Sequence, residues 1–184
     1  RDSMESTMDA LQLAEAKGLT IVCDINYRKN LWGYGMQPHD VIYNMMQYSD
    51  IVFGDQNEWE VASGVKHIPF NALDAGYVIN REAYQEYFRK MHVLFPKCKK
   101  MVMALRNQLA SSHHTLTGLL YDAVHDSLYT TKIYDIQPIV DPMGVGDAFV
   151  AGYIHAHQKW AADNQYCLDF ALSASCLLYT SPSP

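Results

Sequence analysis

The sequence predicts an α/β fold built on a mostly parallel sheet. Three observations lead there. Met4–Lys17 reads as an amphipathic helix, Gly18 stops it, and the short apolar run Leu19–Cys23 follows at once. A helix, a tight turn and a buried strand is the rhythm of parallel sheets. Pro38–Gln47 followed by Asp50–Gly54, and Asn80–Leu94 followed by Lys100–Leu105, give the same order again. Polar groups then gather where strands end: Asp24, Asn26 and Arg28 after the first, Arg106 after the last. The carboxyl ends of strands are where open α/β sheets bind ligands.

The totals narrow the class. With 184 residues, 49% hydrophobic and 18% charged, the chain can bury a core and is not disordered. A net charge of −6 and the lack of a basic stripe argue against nucleic acid as the main partner. No apolar run approaches the roughly 20 residues that span a bilayer, so no membrane partner is expected. Cys23, Cys98, Cys167 and Cys176 show no C-x-x-C spacing, which fits reduced thiols and a cytoplasmic location. The chain starts at Arg1 without Met or signal peptide and reads as a fragment.

Each element has its own warrant. Met8, Leu11, Leu13 and Ala14 line the first helix. Pro38 suits the first turn of the second. His67–Ile79, with Pro69, Asp74 and Gly76, reads as a connection. Asn80 caps a helix whose stripe is Ala83, Tyr84, Tyr87, Phe88, Met91 and Leu94, core rather than a cofactor box. Lys100–Leu105 is a strand with Arg106 at its end, and Ser111–His114 reads as polar loop. Thr115–Asp122 and Ser127–Tyr134, joined by Ala123–Asp126, predict an antiparallel hairpin at the edge of the sheet. Val145–Lys159 and Tyr166–Leu178 are helices, the second with Leu168, Ala171, Leu172 and Ser175 on one face.

The chemistry concentrates in Asp141-Pro-Met-Gly-Val-Gly-Asp-Ala-Phe-Val-Ala-Gly152. Gly144 and Gly146 precede a helix and leave the N–H groups of Gly144, Val145, Gly146 and Asp147 uncovered, at the positive end of its dipole. Asp147 stands beside that anion hole, able to hold an attacking hydroxyl. Gly-x-Gly-Asp alone also fits an ordinary turn before a core helix. Arg28 can grip a carboxylate or phosphate through two parallel hydrogen bonds, with Asp24 and Asn26 in support; the same run also fits a loop with a surface arginine and Trp32 plugging the core. Asn57 and Glu60, at i and i+3, share a helix face and could hold a hydrated Mg²⁺, or simply be polar residues at a helix start. His155 and His157 point about 200° apart on a helix, which speaks against a zinc site. No G-x-S-x-G and no Walker G-K-[ST] occurs.

Residues 141–152 resemble the signature of the PfkB/ribokinase family of sugar kinases, D-x-x-G-x-G-D-x-F-x-x-G, at every fixed position. Asp24–Trp32 resembles the D-x-N-x-R-x-x-L-W segment of its 2-keto-3-deoxygluconate kinase branch, Asn57–Glu60 the family's N-x-x-E motif, and Leu105-Arg106 its L-R segment. The resemblance implies a ribokinase-like three-layer α/β/α sandwich, here lacking the N-terminal part and the lid. Residues 1–177 would be the C-terminal portion of the kinase domain, and 178–184 a non-native or disordered tail. It implies ATP-dependent phosphorylation of 2-keto-3-deoxygluconate, with Asp147 as base and substrate contact and Gly144, Val145 and Gly146 as the anion hole. Arg28 and Asn26 would meet the sugar acid. Asn57, Glu60, Arg106, Gly144 and Gly146 would serve the nucleotide, Glu60 would hold Mg²⁺ through water, and a monovalent cation such as K⁺ would sit near Asp141. A homo-oligomer is implied for the complete protein. Fructose, ribose or a nucleoside as substrate, or a catalytically incomplete nucleotide-binding fragment, are the alternatives.

Overall fold

The computed structural model describes residues 2–33, 35–69 and 76–181. Asp74, in the expected connection, and the last three residues of the expected tail lie outside them. The helices are α1 Asp2–Ala16, α2 Pro38–Met46, α3 Gln56–Ser63, α4 Arg81–Leu94, α5 Val145–Trp160 and α6 Asn164–Tyr179. The strands are β1 Val22–Asp24, β2 Ile51–Phe53, β3 Lys100–Ala110, β4 His113–Asp122, β5 Ser127–Thr130 and β6 Tyr134–Ile136. They form a mixed sheet in the order β1-β2-β3-β4-β5, with β6 also on β4. β1–β2 and β2–β3 are parallel, and β4–β6 is antiparallel. The parallel part and the antiparallel addition are both as the sequence implied.

The chain forms two compact units. One comprises the described residues of Arg1–Ile68, Glu82–Val102 and Tyr121–Ser127. Its core holds Met46, Trp59, Phe88, Met91 and Phe95, each with no exposed surface. Trp59 meets Phe88 edge-on at 6.3 Å, and Phe88 stacks on Tyr121 at 5.7 Å. The α4 stripe is buried where expected, at Tyr84, Tyr87, Phe88 and Met91. Asp50 ties the start of β2 to its neighbours: its carboxylate accepts the Ile21 N–H at 3.0 Å and pairs with Lys99 at 3.3 Å. Gly54 leaves β2 so close to the core that a Cβ there would lie 2.8 Å from Ile25 Cδ1.

The other unit comprises the described residues of Pro69–Arg81, Met103–Leu120 and Leu128–Pro184. Here α5 packs on α6; Phe149, Tyr153 and Ala156 of one and Leu168, Ala171, Leu172 and Ser175 of the other are buried. The approach is close because Gly152 lacks a side chain: a Cβ would sit 2.9 Å from Ala174 Cβ and 3.1 Å from Ala171 Cα. α6 runs to Tyr179, which is buried and packs edge-on against His114 at 5.6 Å. His155 stacks on Phe170 and His157 on Tyr153.

Three sequence expectations need correction. β3 does not end at Leu105; it continues to Ala110. Arg106, Asn107 and Gln108 look like a polar strand exit, yet they alternate exposed, buried, exposed, the period of a strand. Arg106 therefore stands inside β3. His113 and His114 belong to β4, so only Ser111 and Ser112 turn the chain. The expected strand Ser127–Tyr134 is broken at 131–133. There the Thr131 hydroxyl accepts the Gly118 N–H at 3.0 Å and donates to Lys132 O at 2.7 Å, a side chain taking over ladder bonds.

Candidate active site

The glycine-lined turn is built as a helix start. Gly144 is the residue before α5, with φ 74° and ψ 2°, a left-handed conformation that glycine adopts without strain. No side chain caps the helix. The first N–H to return into it is that of Ala148, bonded to Gly144 O at 2.8 Å. The N–H groups of Val145, Gly146 and Asp147 have no acceptor one turn back, as at any helix start. Gly144, Gly146 and Asp147 are exposed at the positive end of a 16-residue helix.

Two contacts hold this turn. Asp141 Oδ1 accepts the Met143 N–H at 2.8 Å, which shapes the chain ahead of Gly144. Ser175 Oγ donates to Val145 O at 2.9 Å and fastens the first residue of α5 to α6. The backbone adds a third tie, from the Val140 N–H to Tyr179 O at 2.8 Å. Phe149 and Gly152, the last fixed positions of the pattern, are core and helix contact. The pattern thus divides into a chemical front and a packing rear. Ser175 was visible in the sequence only as part of a buried helix face.

Arg106 is exposed on β3. Its charge reaches His114, whose imidazole is held below the usual histidine range by burial first and by Arg106 second. The ring nitrogens of His114 have no hydrogen-bond partner among the described residues.

The remaining candidates lie in the first unit. After β1 the chain passes through Asn26, with φ 43°, and a short 3₁₀ turn, Lys29–Leu31. Trp32 is half-buried, 6.4 Å from the Tyr27 ring. Arg28 is exposed, and its Nη1 donates to Tyr27 O at 2.9 Å and to Glu58 Oε1 at 3.4 Å. Glu58 is the residue sequence reasoning missed. It is the third residue of α3 and closes a capping box: Asp55 accepts its N–H at 2.8 Å, and its Oε2 accepts the Asp55 N–H at 2.8 Å. Burial pushes its carboxyl above the usual range. The D-x-x-E spacing of Asp55 and Glu58 was a legible signal for this box.

Asn57 is exposed on α3. Glu60, one turn on, is engaged by His67: Oε2 accepts the backbone N–H at 3.2 Å and lies 2.6 Å from Nδ1. Those bonds hold the Glu60 carboxyl below the usual range, so it is ionised near neutral pH. Among the described residues no group of three or more His, Cys, Asp or Glu side chains is placed to hold a metal ion. No described helix is long and apolar enough to cross a membrane.

No family model matches the chain, and no curated protein matches it in sequence. Solved structures do. The 2-dehydro-3-deoxygluconokinase of Thermotoga maritima is similar with a TM-score of 0.83 and 26% identity, over 100% of this chain and 51% of that one. A PfkB family carbohydrate kinase from Listeria grayi gives 0.79 and 22%, over 97% and 50%. A fructokinase from Vibrio cholerae, solved with fructose, ADP and calcium, gives 0.67 and 18%, over 96% and 50%. The chain spans about half the length of these structures. Its fold is ribokinase-like, and the solved proteins it is similar to include a PfkB family carbohydrate kinase and other sugar kinases.

Proposed function

We propose that the protein is an ATP-dependent carbohydrate kinase that phosphorylates a hydroxyl of a sugar acid of the 2-keto-3-deoxygluconate class. The activity is proposed for the whole protein, of which this chain spans about half by comparison with its neighbours. The observation that carries the reading is the exposed Asp147 on the first turn of an uncapped helix entered through Gly144.

Phosphoryl transfer asks chiefly for positioning and charge stabilisation. Asp147 would accept the hydroxyl proton and align its oxygen. A carboxylate at a helix start is a weak base, which a loose transition state tolerates because the proton leaves late. The amides of Gly144, Val145, Gly146 and Asp147 would bind developing charge on the phosphoryl oxygens. In comparable holes one such donor is worth about 3 kcal/mol. Arg106, Asn57 and Glu60 would serve the nucleotide. An ionised Glu60 beside an exposed Asn57 is a sparse oxygen donor set, which suits a Mg²⁺ that keeps most of its waters. When bound, Mg²⁺ supplies charge neutralisation to the phosphates. Asp141 is the residue proposed near a monovalent cation, K⁺; its bond to Met143 also serves the turn. A cytoplasmic homo-oligomer is part of the same proposal.

The acidic substrate rests on Arg28, for which a neutral sugar has no use. The fructose in the Vibrio cholerae structure favours a second reading, a neutral-sugar kinase. A coupled ADP assay with 2-keto-3-deoxygluconate, fructose and ribose separates them. ADP release with the sugar acid supports the first reading, and release with fructose or ribose alone supports the second. Release with none, despite ATP binding, would leave a nucleotide-binding protein.

A further inference from the structure

Arg28 projects from an irregular segment and is 62% exposed, so little packing fixes its guanidinium. Its hydrogen bonds to described residues use Nη1 alone, toward Tyr27 O and Glu58 Oε1. Glu58 differs in kind. Its side chain is only 12% exposed, it sits on the first turn of α3, and its second oxygen is tied to the Asp55 N–H. One carboxylate thus closes a helix cap with one oxygen and reaches the arginine with the other. An arginine held at Nη1 keeps its Nε/Nη2 edge for a planar anion, the side-on geometry that binds a carboxylate through two parallel bonds.

We propose that Glu58 is a positioning residue for Arg28, holding Nη1 so that the Nε/Nη2 edge is presented to the carboxylate of a sugar acid. This rests on the reading that Arg28 meets that carboxylate, and the experiment separates the two. Glu58→Gln is the informative change, because the amide carbonyl can still accept the Asp55 N–H while the charge is lost. The amide nitrogen then faces Nη1, donor to donor. An ion pair with one partner exposed, like this one, contributes up to about 1 kcal/mol, a factor of about five.

The dissociation constant for 2-keto-3-deoxygluconate, measured by titration calorimetry on the whole protein, should therefore rise about three- to five-fold in Glu58→Gln. Those for ATP and fructose should stay within about two-fold. The pH profile gives a readout a purely structural role would not move. Asp55, Asp24 and Arg28 are the charged groups facing Glu58. As pH falls and Glu58 takes a proton, parental affinity for the sugar acid should drop, and the Gln variant should show no such step. Loss of a negative charge by itself favours an anionic ligand, so unchanged or tighter binding in Glu58→Gln overturns the proposal. Weaker binding of the sugar acid by Arg28→Ala, with Glu58→Gln like the parent, sinks the positioning role and leaves the Arg28 reading standing. If Arg28→Ala or the parent shows no preference for the sugar acid, both fall.

Discussion

Gly152→Ala tests the packing that presents the candidate site. In an exposed helix interior this change stabilises by about 1 kcal/mol, since glycine is the poorer helix former. Here the added Cβ would lie 2.9 Å from Ala174 Cβ and 3.1 Å from Ala171 Cα. The first is a methyl on a helix backbone and the second is backbone itself, so neither can swing aside as a long side chain could. Overpacking of this kind costs about 1–3 kcal/mol, more than the propensity gain at most of that range. The net expectation is a loss of up to about 2 kcal/mol, read as a lower urea midpoint at unchanged m-value. Gly152→Leu should lose more. A Gly152→Ala variant more stable than the parent by about 1 kcal/mol would mean that the close approach of α5 and α6 is not real.

Three further expectations follow from the same structure. Ser175→Ala removes the hydroxyl bond to Val145 O; it should cost about 1 kcal/mol of stability and weaken ATP binding, measured by calorimetry. Asp126 is held well below the usual carboxylate range by Arg89, then Tyr121. Its contribution is present above the unfolded carboxylate value and is lost as pH falls through the lower folded one, so Asp126→Asn should flatten the acid limb of a stability–pH curve. Arg28→Ala should raise KM for a sugar acid far more than for fructose, and a uniform rise would favour the neutral-sugar reading.

The parallel half of the sheet was legible because helices and short apolar runs alternate with clear stops, as at Gly18 before Ile21–Val22. The buried stripe of α4 was equally plain, since Tyr84, Tyr87, Phe88 and Met91 repeat at helical spacing. β3 was cut short because Arg106, Asn107 and Gln108 read as polar in sequence, although burial alternates along them. At the break after Thr130 the hydroxyls of Thr131 and Thr117 meet Gly118 N–H and Thr131 O, partners distant in sequence that no local pattern announces. Within the candidate site, the sequence put Gly144 just ahead of a helix, and Gly144 does precede α5, with Asp147 exposed on its first turn. Glu58 escaped the sequence reading because its partner Arg28 lies 30 positions earlier, a contact that spacing within α3 does not announce.

The most direct test is Asp147→Asn in the whole protein, with turnover followed by ADP release and ATP affinity by calorimetry. Asparagine keeps the helix start and loses the proton acceptor. Turnover should fall by a factor of about 10²–10⁴ while ATP binds nearly as in the parent. Equal turnover in variant and parent would contradict the role given to this carboxylate and, with it, the kinase mechanism proposed for the glycine-lined turn.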